Sequence, residues 1–513
     1  MKNNTITLDG HSLTHDQIYR VARAADCEIS LGIFPQALEK MKASREFVFE
    51  IVKKGKPVYG INTGFGALAN KHIEEKDLAQ LQLNLIRSHC TGVGRPFDRK
   101  TTRAIMLLRA NCLISGYSGV DPHIISLLLD FLHFGITPVV PEKGSVGASG
   151  DLAPLSHVAL ALIGEGDVEF EGKVINSAFA IDHIGRKPAV LGPKDGLALI
   201  NGTAVMAALG SLSIVEAKKL ADLADIASCL TLDSVKGTSA AYDRKISELK
   251  PHTGQLECVD RLNKLLEHSE LKNAHPDCDK VQDPYSLRCV PQVHGACRQT
   301  IAHADYVIQT ELNAVTDNPL IFLEQREVIS GGNFHGEALA LCMDYLAMGM
   351  AEFCNISERR IEKMMNPTFS DLPAFLVKDP GLNSGLMIAH VTAAALTSEN
   401  KYLCHPASVD SVPTSTDKED HVSMGVTSGR KLREVIDNLK NCLAIELLCN
   451  TQAMEFQRPL KTSPPLEAVY TLIRKHVAKL DNDRVLYNDM ANIVKLIEND
   501  EILDAVNSVT GEI

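Results

Sequence analysis

Gly144-Ser145-Val146-Gly147-Ala148-Ser149-Gly150-Asp151-Leu152-Ala153-Pro154-Leu155-Ser156-His157 is the stretch on which the reading of this chain turns. Its centre, Ala148-Ser149-Gly150, holds the atoms for a reaction within the backbone. The amide nitrogen of Gly150 can attack the carbonyl carbon of Ala148 and close a five-membered ring. Loss of one water from the ring, and of a second from the Ser149 side chain, leaves an electron-poor exocyclic methylidene. Closure needs a tight approach of backbone atoms; Gly150 has no Cβ to obstruct it, and Gly147 lets the chain bend just before. None of the standard side chains is such an electrophile, and electrophiles of this kind make poor leaving groups leave. A plainer reading of the same residues is a glycine turn that opens an apolar helix. The G-x-x-G-x-x-G spacing is not the dinucleotide fingerprint, and no clear βαβ pattern surrounds it.

The frame around the triplet favours cyclisation. Residues 144–157 resemble, almost letter for letter, the prosthetic-group segment of the aromatic amino-acid ammonia-lyases. The resemblance implies that Ala148, Ser149 and Gly150 become 4-methylidene-imidazole-5-one (MIO) without any added cofactor. Similar flanking sequence extends over most of the chain. By the same resemblance the protein is mainly α, a long-helix bundle with a smaller mixed N-terminal region. It would form a homotetramer whose active sites combine residues from three chains.

Upstream of the triplet, Tyr59 stands in a glycine-punctuated loop, Gly55 to Gly66. Its ring could simply pack beneath that loop. As a general base it would need roughly 4 kcal/mol of stabilisation to ionise near pH 7, which a dry pocket with a nearby arginine supplies in part. The loop resembles the mobile lid of the family, whose tyrosine removes the substrate β-proton. His89 follows Arg87-Ser88 at a helix end, where a histidine commonly satisfies terminal carbonyls. The corresponding family position selects the substrate side chain, and Ser88-His89 is similar to the histidine-specific branch. An imidazole there can donate or accept one hydrogen bond with an imidazole substrate.

Downstream, Asn201-Gly202-Thr203 reads as a helix N-cap, and the family uses this asparagine to hydrogen-bond the prosthetic group. The segment Gln282 to Arg288 resembles the family's carboxylate clamp. Arg288 would hold the substrate carboxylate bidentately, Tyr285 would lie near the prosthetic group, and Gln282 would contact the substrate. Phe334 would form a wall of the pocket. Thr416-x-x-Glu419 reads as a capping box, while the histidine branch places at this position a glutamate facing the substrate imidazole and amine. That branch frequently has Asn-Gln-Glu-Asp where this chain has Asp417-Lys418-Glu419-Asp420, so Lys418 replaces an amide.

Composition bounds the rest. The 513 residues are 45% hydrophobic and 23% charged, ordinary for a globular protein. A formal net charge of −12 argues against nucleic acid or an anionic membrane as partner. No apolar run of membrane-spanning length and no signal-like start is apparent. The 13 cysteines never fall at Cys-x-x-Cys spacing, so a reducing cytoplasm is expected and no metal. Helical periodicity covers about 77–90, 102–113, 122–134, 196–230, 293–315, 335–363, 383–403, 421–455, 466–480 and 488–506. Short hairpins are expected at 167–175 and 320–330. The chain is divided in sequence at 1–195, carrying lid loop and triplet, and 196–513, carrying the long helices.

The resemblance to the histidine-specific branch implies non-oxidative deamination of L-histidine to trans-urocanate and ammonia, the opening step of histidine degradation. The helix beginning near Asp151 would aim its positive end at the new ring oxygen. A tyrosine or phenylalanine ammonia-lyase, or an aminomutase, shares the triplet; Ser88-His89 and Glu419 oppose the first two. A fumarase-like lyase lacks support because its Gly-Ser-Ser loop is absent. The rival from another class is a non-catalytic helical scaffold with an uncyclised triplet.

Overall fold

The structure is a computed structural model, and it describes residues 5–274 and 281–511. Part of the polar stretch 268–283 therefore lies outside the described residues. Helices dominate, the longest being Ala204–Ser234, Glu337–Met365 and Gly425–Met454. Strands are short and confined to small sheets. Thr5–Leu8 pairs in parallel with Ser30–Ile33, and Val93–Pro96 pairs antiparallel with Pro141–Lys143. The hairpin expected near 167–175 is Asp167–Phe170 with Lys173–Asn176, joined by Thr137–Pro138. The second is Leu320–Phe322 with Glu327–Ile329.

Several elements differ from the periodicity reading. No helix was expected over 35–54, yet Pro35–Lys54 is a 20-residue helix. Proline at its start costs no internal bond, and Gly55 ends it at φ 66°, its N–H returning to the Val52 carbonyl. This helix presents Phe47, Val48, Ile51 and Val52 to Ile61, Leu78 and Ile321. Burial of each such side chain contributes about 1.5–3 kcal/mol, and Ile61 anchors the loop that carries Tyr59. The expected helix 196–230 is two helices, Asp195–Ile200 and Ala204–Ser234, broken at Gly202 with φ 149°. Asn201 is thus the C-cap of the first, not an N-cap. The helix expected over 488–506 likewise breaks at Asp500, φ 63°.

Two compact units emerge. One comprises residues 1–215, 305–344 and 406–430; the other comprises 216–304, 345–405 and 431–513. The expected division at 195/196 does not coincide with them, because four of the five unit boundaries fall inside the helices Ala204–Ser234, Val290–Leu312, Glu337–Met365 and Gly425–Met454. A 31-residue helix is about 46 Å long, so chain order and spatial grouping diverge.

In the first unit Arg109, wholly buried in the helix Arg99–Ile114, donates to the Ala198 and Thr316 carbonyls. The Lys194–Asp317 pair is fully buried at 2.7 Å. In the second unit Arg360 forks onto Glu446 (2.6 and 2.9 Å), which also accepts from Thr231 and Ser357. Contrary to the sequence expectation, one helix, Glu337–Met365, is long and apolar enough to cross a membrane by length and composition, but 72% of that window is buried inside the protein. Its apolar character is that of a core helix.

Candidate active site

Around the triplet the first unit forms a cavity of about 560 Å³. Tyr59, Ala148, Ser149, Asn201, Phe334, Lys418 and Glu419 all line it, so residues from five separate stretches of sequence converge. Gly150 lies directly behind, bridged to Gly202.

The triplet is held from several sides. Gly147 and Gly150 adopt φ of 69° and 76°, and a Cβ on Gly150 would sit 2.3 Å from the Gly202 carbonyl oxygen. Ser145 Oγ accepts from the Gly147 N–H, and Met424 N–H donates to Val146 O at 2.9 Å. Asp151 precedes the helix Leu152–Leu162 without capping it. Its carboxylate instead accepts the N–H groups of Val205 and Met206, the start of another helix, and the Ser145 hydroxyl. Complete burial raises the Asp151 pKa to about 7, although those hydrogen bonds oppose it.

Glu419 is not the partner in a capping box. The next helix starts at Gly425, and Glu419 closes a turn with Thr414 through reciprocal backbone bonds of 2.9 and 3.4 Å. Ser415, Thr416 and Asp417 within that turn have φ of 52°, 52° and 61°, a strained backbone of the sort found at functional sites. The turn aims the carboxylate at the triplet: Oε1 accepts from Ser149 Oγ at 2.7 Å, and Oε2 accepts from Thr414 and Ser415. Burial pushes this carboxyl up, but the three hydroxyls and nearby His89 outweigh it and hold the pKa below its usual value.

His89 ends the helix Leu78–His89 with Nδ1 2.8 Å from the Leu85 carbonyl. A carbonyl accepts only, so Nδ1 carries the hydrogen and Nε2 is left as an acceptor in the neutral ring. Burial lowers the His89 pKa, against the pull of the Leu85 carbonyl and the Glu419 charge. Tyr59 is held by a loop that Asn62 staples, accepting from Val58 N–H and donating to Lys56 O. Burial raises the Tyr59 pKa; a hydrogen bond with the Gly66 backbone opposes this, and the Glu419 charge adds to it. Within one chain, then, the phenol is made a weaker acid, and the helpful arginine suggested by the sequence is not among the causes acting on it.

The cavity fits a prosthetic group made from the triplet. Asn201 Oδ1 is buried without a hydrogen-bond partner, a cost of about 1–3 kcal/mol unless a donor arrives. A Cβ on Gly150 would strike the Gly202 backbone, and a Cβ on Gly202 would strike Arg109 and Thr316, so both positions favour glycine.

Gln282, Tyr285 and Arg288 belong to the second unit and do not line the cavity. Arg288 stacks on the Tyr285 ring at 4.4 Å with its Nε buried and unpartnered, while Tyr285 is 69% exposed. Sequence reading missed Asn70, Asn318, Ser330, His335, Asp420 and His421, which also line the cavity. Asn318 was visible only as part of a stop signal; its side chain accepts from Ser330 Oγ and Gly331 N–H.

The fold is mainly helical, with a cavity around the Ala148-Ser149-Gly150 triplet, and comparison with known proteins gives its class. Residues 13–475 match the aromatic amino acid lyase family, and the chain belongs to it. It is 47% identical to histidine ammonia-lyase of Myxococcus xanthus over 511 residues, all of both chains. Among solved structures, histidine ammonia-lyase of Trypanosoma cruzi superposes with a TM-score of 0.91 at 43% identity, covering 98% of this chain and 95% of that one. Tyrosine aminomutase of Streptomyces globisporus superposes at 0.93 with 36% identity, covering 99% of each.

Proposed function

We propose that this chain deaminates L-histidine to trans-urocanate and ammonia. The observation that carries the reading is Glu419: a half-buried carboxylate with a lowered pKa, aimed at Ser149 and electrostatically coupled to His89. Once cyclisation removes the Ser149 hydroxyl, an apolar aromatic ring would leave Glu419 Oε1 and His89 Nε2 without a donor, at a cost that discriminates strongly against it. A neutral imidazole donates its N–H to one of them, and an imidazolium donates to both. The names of the most similar relatives support the same substrate.

In this reading Ala148-Ser149-Gly150 cyclise to MIO, and Asn201 is the residue that would hold the group. The cyclised triplet supplies an electrophile that turns the substrate amine into a better leaving group. Tyr59 removes the β-proton, and Phe334 walls the ring. Arg288 holds the carboxylate, with Tyr285 and Gln282 beside it. Because these three residues do not line the cavity of their own chain, we infer that they reach it from other copies in a homotetramer. The exposed Tyr285 and the unpartnered Arg288 Nε support that placement. The described cysteines are all free, in keeping with action in the cytoplasm.

Ultraviolet absorbance of the purified protein with L-histidine, L-tyrosine and L-phenylalanine in parallel tests the reading. A urocanate signal confined to histidine and abolished in Ser149→Ala is expected. Cinnamate or coumarate would assign the chain to another branch, and a β-amino acid would make it an aminomutase. No product, with a triplet mass that retains both waters, would leave only a non-catalytic role.

A further inference from the structure

Beside the triplet, three side chains come together that the proposed reaction does not use. His335 and His421 line the cavity, and Glu337 begins the helix Glu337–Met365. One ligand atom from each lies within 4.8 Å of the others. The His335 and His421 rings are 5.7 Å apart, and His335 Nε2 approaches the His421 carbonyl at 3.3 Å. That contact makes Nε2 the N–H and leaves Nδ1 as the lone-pair nitrogen. Glu337 Oε2 is buried with no hydrogen-bond partner, a carboxylate oxygen left without the cation or donor it ordinarily has.

We propose that His335, Glu337 and His421 form a site for a zinc-class divalent transition ion at the cavity wall. Two imidazoles and one carboxylate suit such ions rather than magnesium or calcium. Bonds of about 2.0–2.1 Å place tetrahedral donor atoms roughly 3.4 Å apart, so the trio must close slightly; the exposed His421 side chain can swing in. Three protein ligands leave coordination open to the cavity. Sequence spacing hid the site, because His421 is far from His335 and Glu337 along the chain.

The other cluster of ligand-type groups among the described residues, Asp225, Cys258 and His294, is unsuited. Asp225 is already committed to Arg298, Arg261 and His294, and burial pushes the Cys258 thiol far up. The two clusters differ in donor chemistry, which gives the test its discrimination.

The test is a Co²⁺ titration of the intact, chelator-treated protein, followed by visible absorbance and calorimetry. One ion per chain is expected, with ligand-field bands but no thiolate charge-transfer band in the near ultraviolet. His421→Ala and Glu337→Gln should each weaken binding at least about tenfold, the loss of one ligand or one charge, with circular dichroism confirming that both fold. Absence of saturable binding, affinity unchanged in both variants, or a thiolate band would each overturn the assignment. The readout is independent of whether the enzyme acts on histidine.

Discussion

Glu419 and Tyr59 share a cavity and shape each other's charge. Burial raises the Tyr59 pKa further above neutrality and the Glu419 charge adds to it, so the phenol is protonated at neutral pH. A base with a raised pKa becomes active as pH rises. For L-histidine, kcat/KM should climb from neutral into alkaline solution, and Tyr59→Phe should remove that dependence and lower kcat by about 10²- to 10⁴-fold. A flat profile in the wild type would show that Tyr59 is not the base. Glu419 has the opposite sign: its folded pKa is depressed, so its contribution to stability is present above the unfolded value and is lost as pH falls through the folded one. Replacing a hydrogen bond to a charged group costs about 1.5–3 kcal/mol, so Glu419→Ala should reduce kcat/KM for L-histidine roughly 10- to 100-fold. Steady-state kinetics at fixed pH measures this, and an unchanged value would remove Glu419 from substrate recognition.

At the scale of elements, the triplet depends on the break between Asp195–Ile200 and Ala204–Ser234. Arg109 satisfies the carbonyls of Ala198 and Thr316 on either side of Gly202, and a Cβ on Gly202 would meet Arg109 Nη1 and Thr316 O at 2.3 Å each. Gly202→Ala adds backbone strain of about 1–3 kcal/mol to that clash and pushes the Gly150 backbone away. The variant should have a lower Tm, and intact mass should show both waters retained in the triplet. Full dehydration at a wild-type Tm would mean that Gly202 does not position the cyclising residues.

On the scale of the whole molecule, two properties extend beyond any one element. Lys194 and Asp317 are buried without exposure on either side. Lys194→Met leaves the carboxylate uncompensated, so urea unfolding should report a loss of about 3–5 kcal/mol; a loss under about 1 kcal/mol would mean the acid is held neutral. Assembly is tested by complementation. Tyr59→Phe and Arg288→Ala chains are each expected to be inactive alone. Co-expressed, they should regain activity on the order of a tenth of wild type, because a symmetric oligomer of mixed chains contains some sites with both residues intact. Persistent inactivity of purified mixed oligomers would place Arg288 in the same chain's site.

Much of this was legible in the sequence, and the divide has a physical basis. Long helices announce themselves by periodicity, and the triplet by its atoms, since both are local in the chain. Ala148, Ser149, Tyr59, Asn201, Phe334 and Glu419 were named before the structure brought them to one cavity. The helix Pro35–Lys54 escaped because its apolar face is interrupted by buried Ser44 and by Arg45, whose partners Gly119, Pro193 and Asp195 are distant in sequence. Thr416-x-x-Glu419 imitated a capping box because local pattern cannot say where a side chain points; three left-handed residues turned Glu419 toward Ser149 instead. By itself the sequence determined the helical class, singled out the triplet and named most of the residues expected at the candidate site. Only the tertiary structure decided the protonation balance between Glu419, His89 and Tyr59, the division of the chain into discontinuous units, and the meeting of His335, Glu337 and His421. Those depend on burial and on charges separated by hundreds of residues, and local pattern does not encode either.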